Sequence, residues 1–173
     1  MTDFLAEIFL KATELIEISS FEGISFGFAE SLTGGMIAAS VVDVPGASRA
    51  FKGAVVSYTN EVKENVLCVP ADIIDTYNEV SGECAKAMAE GAFSVLGVEL
   101  AISVTGIAGP TGELPGKPVG TVYMGYCFRP SGSSECISGS ERLNFKGDRD
   151  TIRSNTVLAA LNCAVSLIKD GKV

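Results

Sequence analysis

The sequence predicts an α/β fold, a three-layer α/β/α sandwich around a mostly parallel mixed sheet with at least one antiparallel strand. Three observations carry this expectation. Stretches with apolar residues at helical spacing alternate with short apolar-rich runs of strand length. Glycine, proline and serine punctuate nearly every junction between them. Near the C-terminus, two strand-like runs flank Pro130-Ser131-Gly132-Ser133, a hairpin signature that brings in the antiparallel strand. No internal repeat, low-complexity tract or linker interrupts the pattern, so a single domain is expected over residues 1–173.

The elements follow in order. Phe4, Leu5, Ile8, Phe9, Ala12, Leu15 and Ile16 recur at helical spacing, and that helix ends near Ser19-Ser20, before Gly23. Ile24 to Ala29 reads as a buried strand. Gly34 and Gly35 open a second helix that runs through Val41 and stops at Pro45-Gly46. Phe51 to Thr59 reads as a strand, and Asn60 can cap a short helix carrying Lys63. Pro70 suits the first position of a helix over Ala71 to Tyr77. Ser81 can cap a longer helix with Ala85, Met88, Ala89, Ala92 and Leu96 inward. Leu100 to Thr105 is the next strand, and a glycine-proline loop runs from Gly106 to Lys117. Val119 to Phe128 and Glu135 to Phe145 form the hairpin. Asp148 caps a closing helix whose inner face is Val157, Leu161, Ala164, Val165 and Ile168.

Composition narrows the chemistry. The chain contains no histidine, which excludes Ser-His-Asp and Cys-His catalysis and the common histidine-based metal sites. Its five cysteines are scattered without CxxC spacing, so neither a disulfide framework nor a zinc site is expected, and small buried thiols in a reducing cytosol are. The net charge of −8, with no run of Lys or Arg, argues against a nucleic-acid partner. No apolar run approaches the roughly 18–20 residues needed to cross a bilayer. The acidic N-terminus lacks the basic region of a secretory signal. No membrane partner, no metal and no cofactor are expected, and a cytoplasmic location is.

Three loops share a form in which Ser or Thr and glycines follow a short apolar run. They are Glu30-Ser31-Leu32-Thr33-Gly34-Gly35, Gly46-Ala47-Ser48, and Thr105-Gly106-Ile107-Ala108-Gly109-Pro110-Thr111-Gly112. Ligands of open α/β sheets bind beyond the carboxyl ends of the strands. Bare glycine backbone at a helix N-terminus, beside hydroxyls, suits an anion such as phosphate. Each loop alone is ordinary turn chemistry; together they mark a candidate site. Lys63 and Arg149 read by default as solvated helix residues, but Arg149 lies beside a helix N-terminus, where a cation is disfavoured unless it shares a bound anion.

Four ordered motifs now carry a resemblance: Ala29-Glu30-Ser31-x-Thr33-Gly34-Gly35; Gly53-x-Val55-x-x-Tyr58-x-Asn60-x-x-Lys63; Gly106-Ile107-Ala108-Gly109-Pro110; and Lys117-Pro118-Val119-Gly120-Thr121-Val122. They resemble the C-terminal domain of the competence-damage-inducible CinA proteins, a domain that also occurs alone as bacterial nicotinamide-nucleotide amidohydrolase. The resemblance spans about residues 4–168. The N-terminal domain of full-length CinA proteins has no counterpart in the sequence. Leu32 stands where some relatives have Cys, and the Ser131 to Ser140 hairpin matches no family pattern.

The resemblance implies hydrolysis of nicotinamide mononucleotide to nicotinate mononucleotide and ammonia in pyridine nucleotide recycling. It also implies a Ser/Lys mechanism, in agreement with the missing histidine. By motif, Ser48 is expected as nucleophile and Lys63 as its base, with Ser31, Tyr58 and Thr105 in support. Ser31 is the other candidate nucleophile, because local sequence does not choose between them. Substrate contacts are expected from Thr33, Gly34, Gly35, Asn60, Gly106, Gly109 and Arg149. Lys63 would need its pKa lowered by desolvation or by a cation such as Lys52 or Arg149. Oxyanion donors are sought in the 46–48 turn or the 105–109 loop. The expected partner is a small anionic nucleotide, and a homo-oligomer is expected. Two other readings use the same loops: a non-catalytic nucleotide-binding or regulatory module, which has no need of a serine with a lysine, and a structural partner domain, which leaves the hydroxyls unexplained.

Overall fold

The computed structural model describes residues 2–170. Five strands, β1 (Phe26–Glu30), β2 (Phe51–Val56), β3 (Leu100–Gly106), β4 (Thr121–Phe128) and β5 (Ile137–Asn144), form one sheet in the order β2-β1-β3-β4-β5. β1 pairs in parallel with both β2 and β3, while β4 runs antiparallel to its neighbours β3 and β5. Four strands therefore point one way and β4 alone opposes them, as the hairpin signature requires.

Among the described residues, six α-helices cover the sheet: α1 (Thr2–Glu22), α2 (Met36–Val42), α3 (Asn60–Asn65), α4 (Ala71–Tyr77), α5 (Gly82–Leu96) and α6 (Arg149–Asp170). α1, α2 and α6 share one apolar core with Phe26, Phe28, Leu100, Ile102 and Val104 of the sheet. α4 and α5 form a second core with Ala29 and Ala101 on the opposite face. The alternation along β1 and β3 thus puts bulky residues toward three helices and small ones toward α5. That small face lets α5 lie close. A Cβ on Gly125 of β4 would stand 2.2 Å from the Ala85 carbonyl oxygen. Ser103 Oγ donates to the same carbonyl.

Most predicted boundaries move by one or two residues. Ser81 and Asp148 cap α5 and α6 as expected, accepting from the N–H groups of Cys84 and Thr151. Two expectations are corrected. The α3 cap is Thr59, whose hydroxyl accepts from Val62, and Asn60 is the first helical residue. Leu5 and Phe9, which share the helical spacing of the buried residues of α1, are 66% and 44% exposed. The apolar arc of that helix is wider than its contact with α6. α6 is long and apolar enough to span a bilayer by length and composition alone, contrary to the sequence expectation, yet half of its apolar window is buried inside the fold. It is a core helix here.

Candidate functional site

The carboxyl ends of β1, β2 and β3 lie side by side at one edge of the sheet, and the segments leaving them converge. Ser31 follows β1, Ser57 and Tyr58 follow β2, and Thr105 is the last residue but one of β3. Register holds them together: Ser57 N–H donates to the Glu30 carbonyl at 2.8 Å, and Ser31 N–H donates to the Val104 carbonyl at 3.0 Å. A cavity of about 260 Å³ opens between these ends. Ser31, Tyr58, Lys63, Thr105, Gly106, Gly109 and Arg149 all line it.

Lys63 is the unusual residue. Helix α3 turns it inward, and only 1% of it is exposed. Its ammonium nitrogen donates to the Ser57 carbonyl at 2.7 Å and lies 3.3 Å from Ser31 Oγ. No carboxylate makes an ion pair with it among the described residues. Burial dominates and pushes its pKa below the ordinary lysine value of 10.5, while Cys84 and Glu79 pull partly the other way. Burial lifts the Cys84 thiol to about 11, which leaves it protonated at neutral pH. Neither Lys52 nor Arg149, considered above as lowering cations, contributes. The arrangement is a buried lysine, inclined to shed its proton, within reach of a serine hydroxyl facing a cavity.

The remaining walls are fixed by close packing and short bonds. Thr105 Oγ1 donates to the Glu79 carbonyl at 2.8 Å, which ties the end of β3 to the turn between α4 and α5. Gly106 must be glycine on steric grounds, since a Cβ there would meet the Thr121 carbonyl oxygen at 2.6 Å. Arg149, the first residue of α6, donates to the Gly109 carbonyl at 2.8 Å and so braces the glycine-proline loop against the cavity.

Other predicted residues lie elsewhere. Ser48 sits on a single 3₁₀ turn, Ala47–Arg49, that leads into β2. It is therefore exposed at the amino end of the strand whose carboxyl end feeds Lys63. Six residues of extended β2, about 20 Å by strand rise, separate the two ends. The structure thus sets Ser48 and the 46–48 turn apart from Lys63 and brings Ser31 beside it.

Thr33, Gly34 and Gly35 do not line the cavity. Their helix N-terminus is already filled: the fully buried Glu30 carboxylate accepts from the N–H groups of Gly35, Ile37 and Ala38 at 2.9, 3.1 and 2.9 Å. A carboxylate so placed satisfies the orphan donors and opposes the helix dipole, so a phosphate has no place there. Asn60 also lies outside the cavity wall.

Two lining or neighbouring residues escaped the sequence reading, Glu79 in the cavity wall and Cys84 beneath Lys63. The only local signal was a cap at Ser81, which announces a helix start and says nothing of what the preceding turn faces.

Comparison with known proteins agrees with this architecture. The family model described as the CinA C-terminal domain matches residues 11–168. A CinA-like protein of Citrifermentans bemidjiense is 49% identical over 140 residues, 81% of this chain and 32% of that protein. A CinA-like protein of Dictyoglomus thermophilum is 44% identical over 148 residues, 86% of this chain and 34% of that protein. The chain thus spans about a third of the length of these curated relatives. Among solved structures, the competence/damage inducible protein CihA of Agrobacterium tumefaciens superposes with a TM-score of 0.85 at 31% identity, covering 93% of this chain and 95% of that one. A CinA superfamily protein of Klebsiella pneumoniae gives 0.85 at 28% identity, covering 92% and 96%. With residues 11–168 matched by the family model and relatives of 44% and 49% identity over more than four fifths of its length, the chain belongs to the CinA C-terminal domain family.

Proposed function

We propose that this chain hydrolyses the carboxamide of nicotinamide mononucleotide, giving nicotinate mononucleotide and ammonia, with Ser31 as nucleophile and Lys63 as general base and acid. The observation that carries the chemistry is the buried Lys63 ammonium nitrogen 3.3 Å from Ser31 Oγ at the cavity wall. Resemblance to nicotinamide-nucleotide amidohydrolases supports the choice of substrate.

In this reading a neutral Lys63 takes the Ser31 proton as Oγ bonds to the amide carbon. The carbonyl π pair moves onto oxygen, and N–H groups of the 105–109 loop stabilise it. Ala108 and Gly109 line the cavity, and their N–H groups make no intramolecular hydrogen bond among the described residues. Collapse of the tetrahedral adduct breaks the C–N bond, and Lys63 returns its proton to the departing amine, releasing ammonia. Water then attacks the acyl ester through the same lysine, which restores Ser31 and releases the carboxylate. Arg149 faces the nucleotide phosphate, and Tyr58 and Thr105 border the reacting group. A non-catalytic module gains nothing from burying a lysine without a carboxylate against a hydroxyl, which is why the catalytic reading is preferred.

The test is ammonia release from nicotinamide mononucleotide, nicotinamide riboside and free nicotinamide. The proposal expects turnover of the mononucleotide, little of the riboside and none beyond background in Ser31→Ala. Retained nucleotide binding without turnover by the native chain would reduce the site to a binding module.

A further inference from the structure

Glu79 is the one acid among the residues that line the cavity, and the turn that presents it is held at every residue. Asn78 adopts φ 74°, ψ 159°, a region that L residues other than glycine rarely enter. Its Oδ1 accepts from Val80 N–H at 3.1 Å, and its carbonyl accepts from Ser81 Oγ at 2.8 Å. The Glu79 carbonyl takes the Thr105 hydroxyl. Lys117, reaching across from the glycine-proline loop, donates to the carbonyls of Tyr77 and Val80 at 3.2 and 2.5 Å. A strained backbone over-determined by five hydrogen bonds from both sides is a feature with a task, and helix connection alone needs none of it. Its result is a carboxylate in a cavity whose other charged groups are Lys63, which burial drives toward neutrality, and Arg149.

One cation, held by the Gly109 carbonyl, and one anion, on a turn whose backbone is held, stand on different elements of one cavity and complement a ligand that carries both charges. A carboxylate placed only to meet an anionic nucleotide would repel it. We propose that Glu79 is a specificity residue that selects a substrate whose ring bearing the carboxamide is positively charged, the pyridinium of an oxidised nicotinamide nucleotide, over uncharged dihydropyridine or neutral aromatic amides. The choice of ligand rests on the amidase reading above; the charge selection does not need turnover.

The experiment is calorimetric titration of nicotinamide mononucleotide and its dihydro form into the full chain carrying Ser31→Ala, with and without Glu79→Gln. The two ligands share phosphate, ribose and carboxamide and differ in ring charge. The oxidised form should bind about tenfold more tightly, the ratio that roughly 1.4 kcal/mol of charge pairing supplies. Glu79→Gln should bring that ratio close to one by weakening the oxidised ligand alone. Because any effect of Glu79 on Lys63 touches both ligands alike, the ratio isolates ring charge. Unfolding midpoints of the two variants identify a collapsed turn, and Glu79→Asp, which keeps the charge, should retain most of the preference. Equal affinities in the presence of Glu79, or a ratio unmoved by Glu79→Gln in folded protein, overturns the proposal. Ammonia release by the native chain is scored separately, so a protein that selects the charged ring without hydrolysing it rejects the amidase reading and keeps this one.

Discussion

At the scale of single residues, the serine–lysine pair makes the sharpest expectations. Ser31→Ala should lower turnover at least about a thousandfold, and Lys63→Ala similarly, while the double variant should be scarcely worse than either, since groups acting as one unit do not add. Ser48→Ala, an exposed change at the far end of β2, should leave ammonia release within about twofold of native. Lys63→Arg should stay inactive, because a guanidinium cannot accept the serine proton. The pH dependence follows from burial. With its pKa pushed below 10.5, Lys63 should give a kcat/KM that rises with pH through a group under that value. Stability carries the matching sign. A lysine depressed on folding binds fewer protons in the folded than in the unfolded chain between its two pKa values, so stability rises with pH across that window up to 10.5. Urea titrations over alkaline pH should show that slope, and Lys63→Met should flatten it.

At the scale of elements, α2 and α5 make opposite demands. α2 is only seven residues long and owes its start to Glu30 rather than to a capping residue next to it. Glu30→Gln keeps the shape but offers one acceptor in place of two charged oxygens. It should cost about 1–3 kcal/mol in urea unfolding, with activity falling as Ser31, the next residue, loses its anchor. α5 instead needs space: Gly125→Ala forces a methyl against the Ala85 carbonyl, and a loss of about 1–3 kcal/mol or more is expected. The elements themselves were legible in the sequence, because periodicity and capping are local, and Ser81, Asp148 and the 130–133 hairpin signature reported correctly on either side of α5 and α6. Glu30 was not. A carboxylate that caps a helix five to eight residues downstream leaves no mark that separates it from a solvated one, and its glycines read as a phosphate cradle for the same reason.

At the scale of the whole molecule, the sheet order decides what the sequence left open. Ser31 and Ser48 sit in similar hydroxyl-glycine turns, and only the parallel pairing of β1 with β2 puts Ser31 beside the carboxyl end of β2 and Ser48 at the opposite end of that strand. That contrast is long-range, so local sequence offered both as nucleophile. Lys63 was found by motif, but its burial came only from the packing of α3 over the strand ends. The same sheet order has a further effect. β2 is an outermost strand whose only ladder among the described residues is with β1, yet it leads into Ser57, whose carbonyl holds the Lys63 ammonium, and into α3, which bears Lys63. Edge ladders open by local fluctuation more cheaply than central ones, in cooperative units smaller than the molecule. Native-state hydrogen exchange should therefore find the β2 amides exchanging through a sub-global opening, below the free energy of the β1 and β3 amides. In rising denaturant, turnover should fade before the far-ultraviolet circular dichroism of the helices changes. Resistance to unfolding and persistence of activity become separate properties of this protein, and a variant that tightens the β1–β2 ladder should extend the second without moving the first.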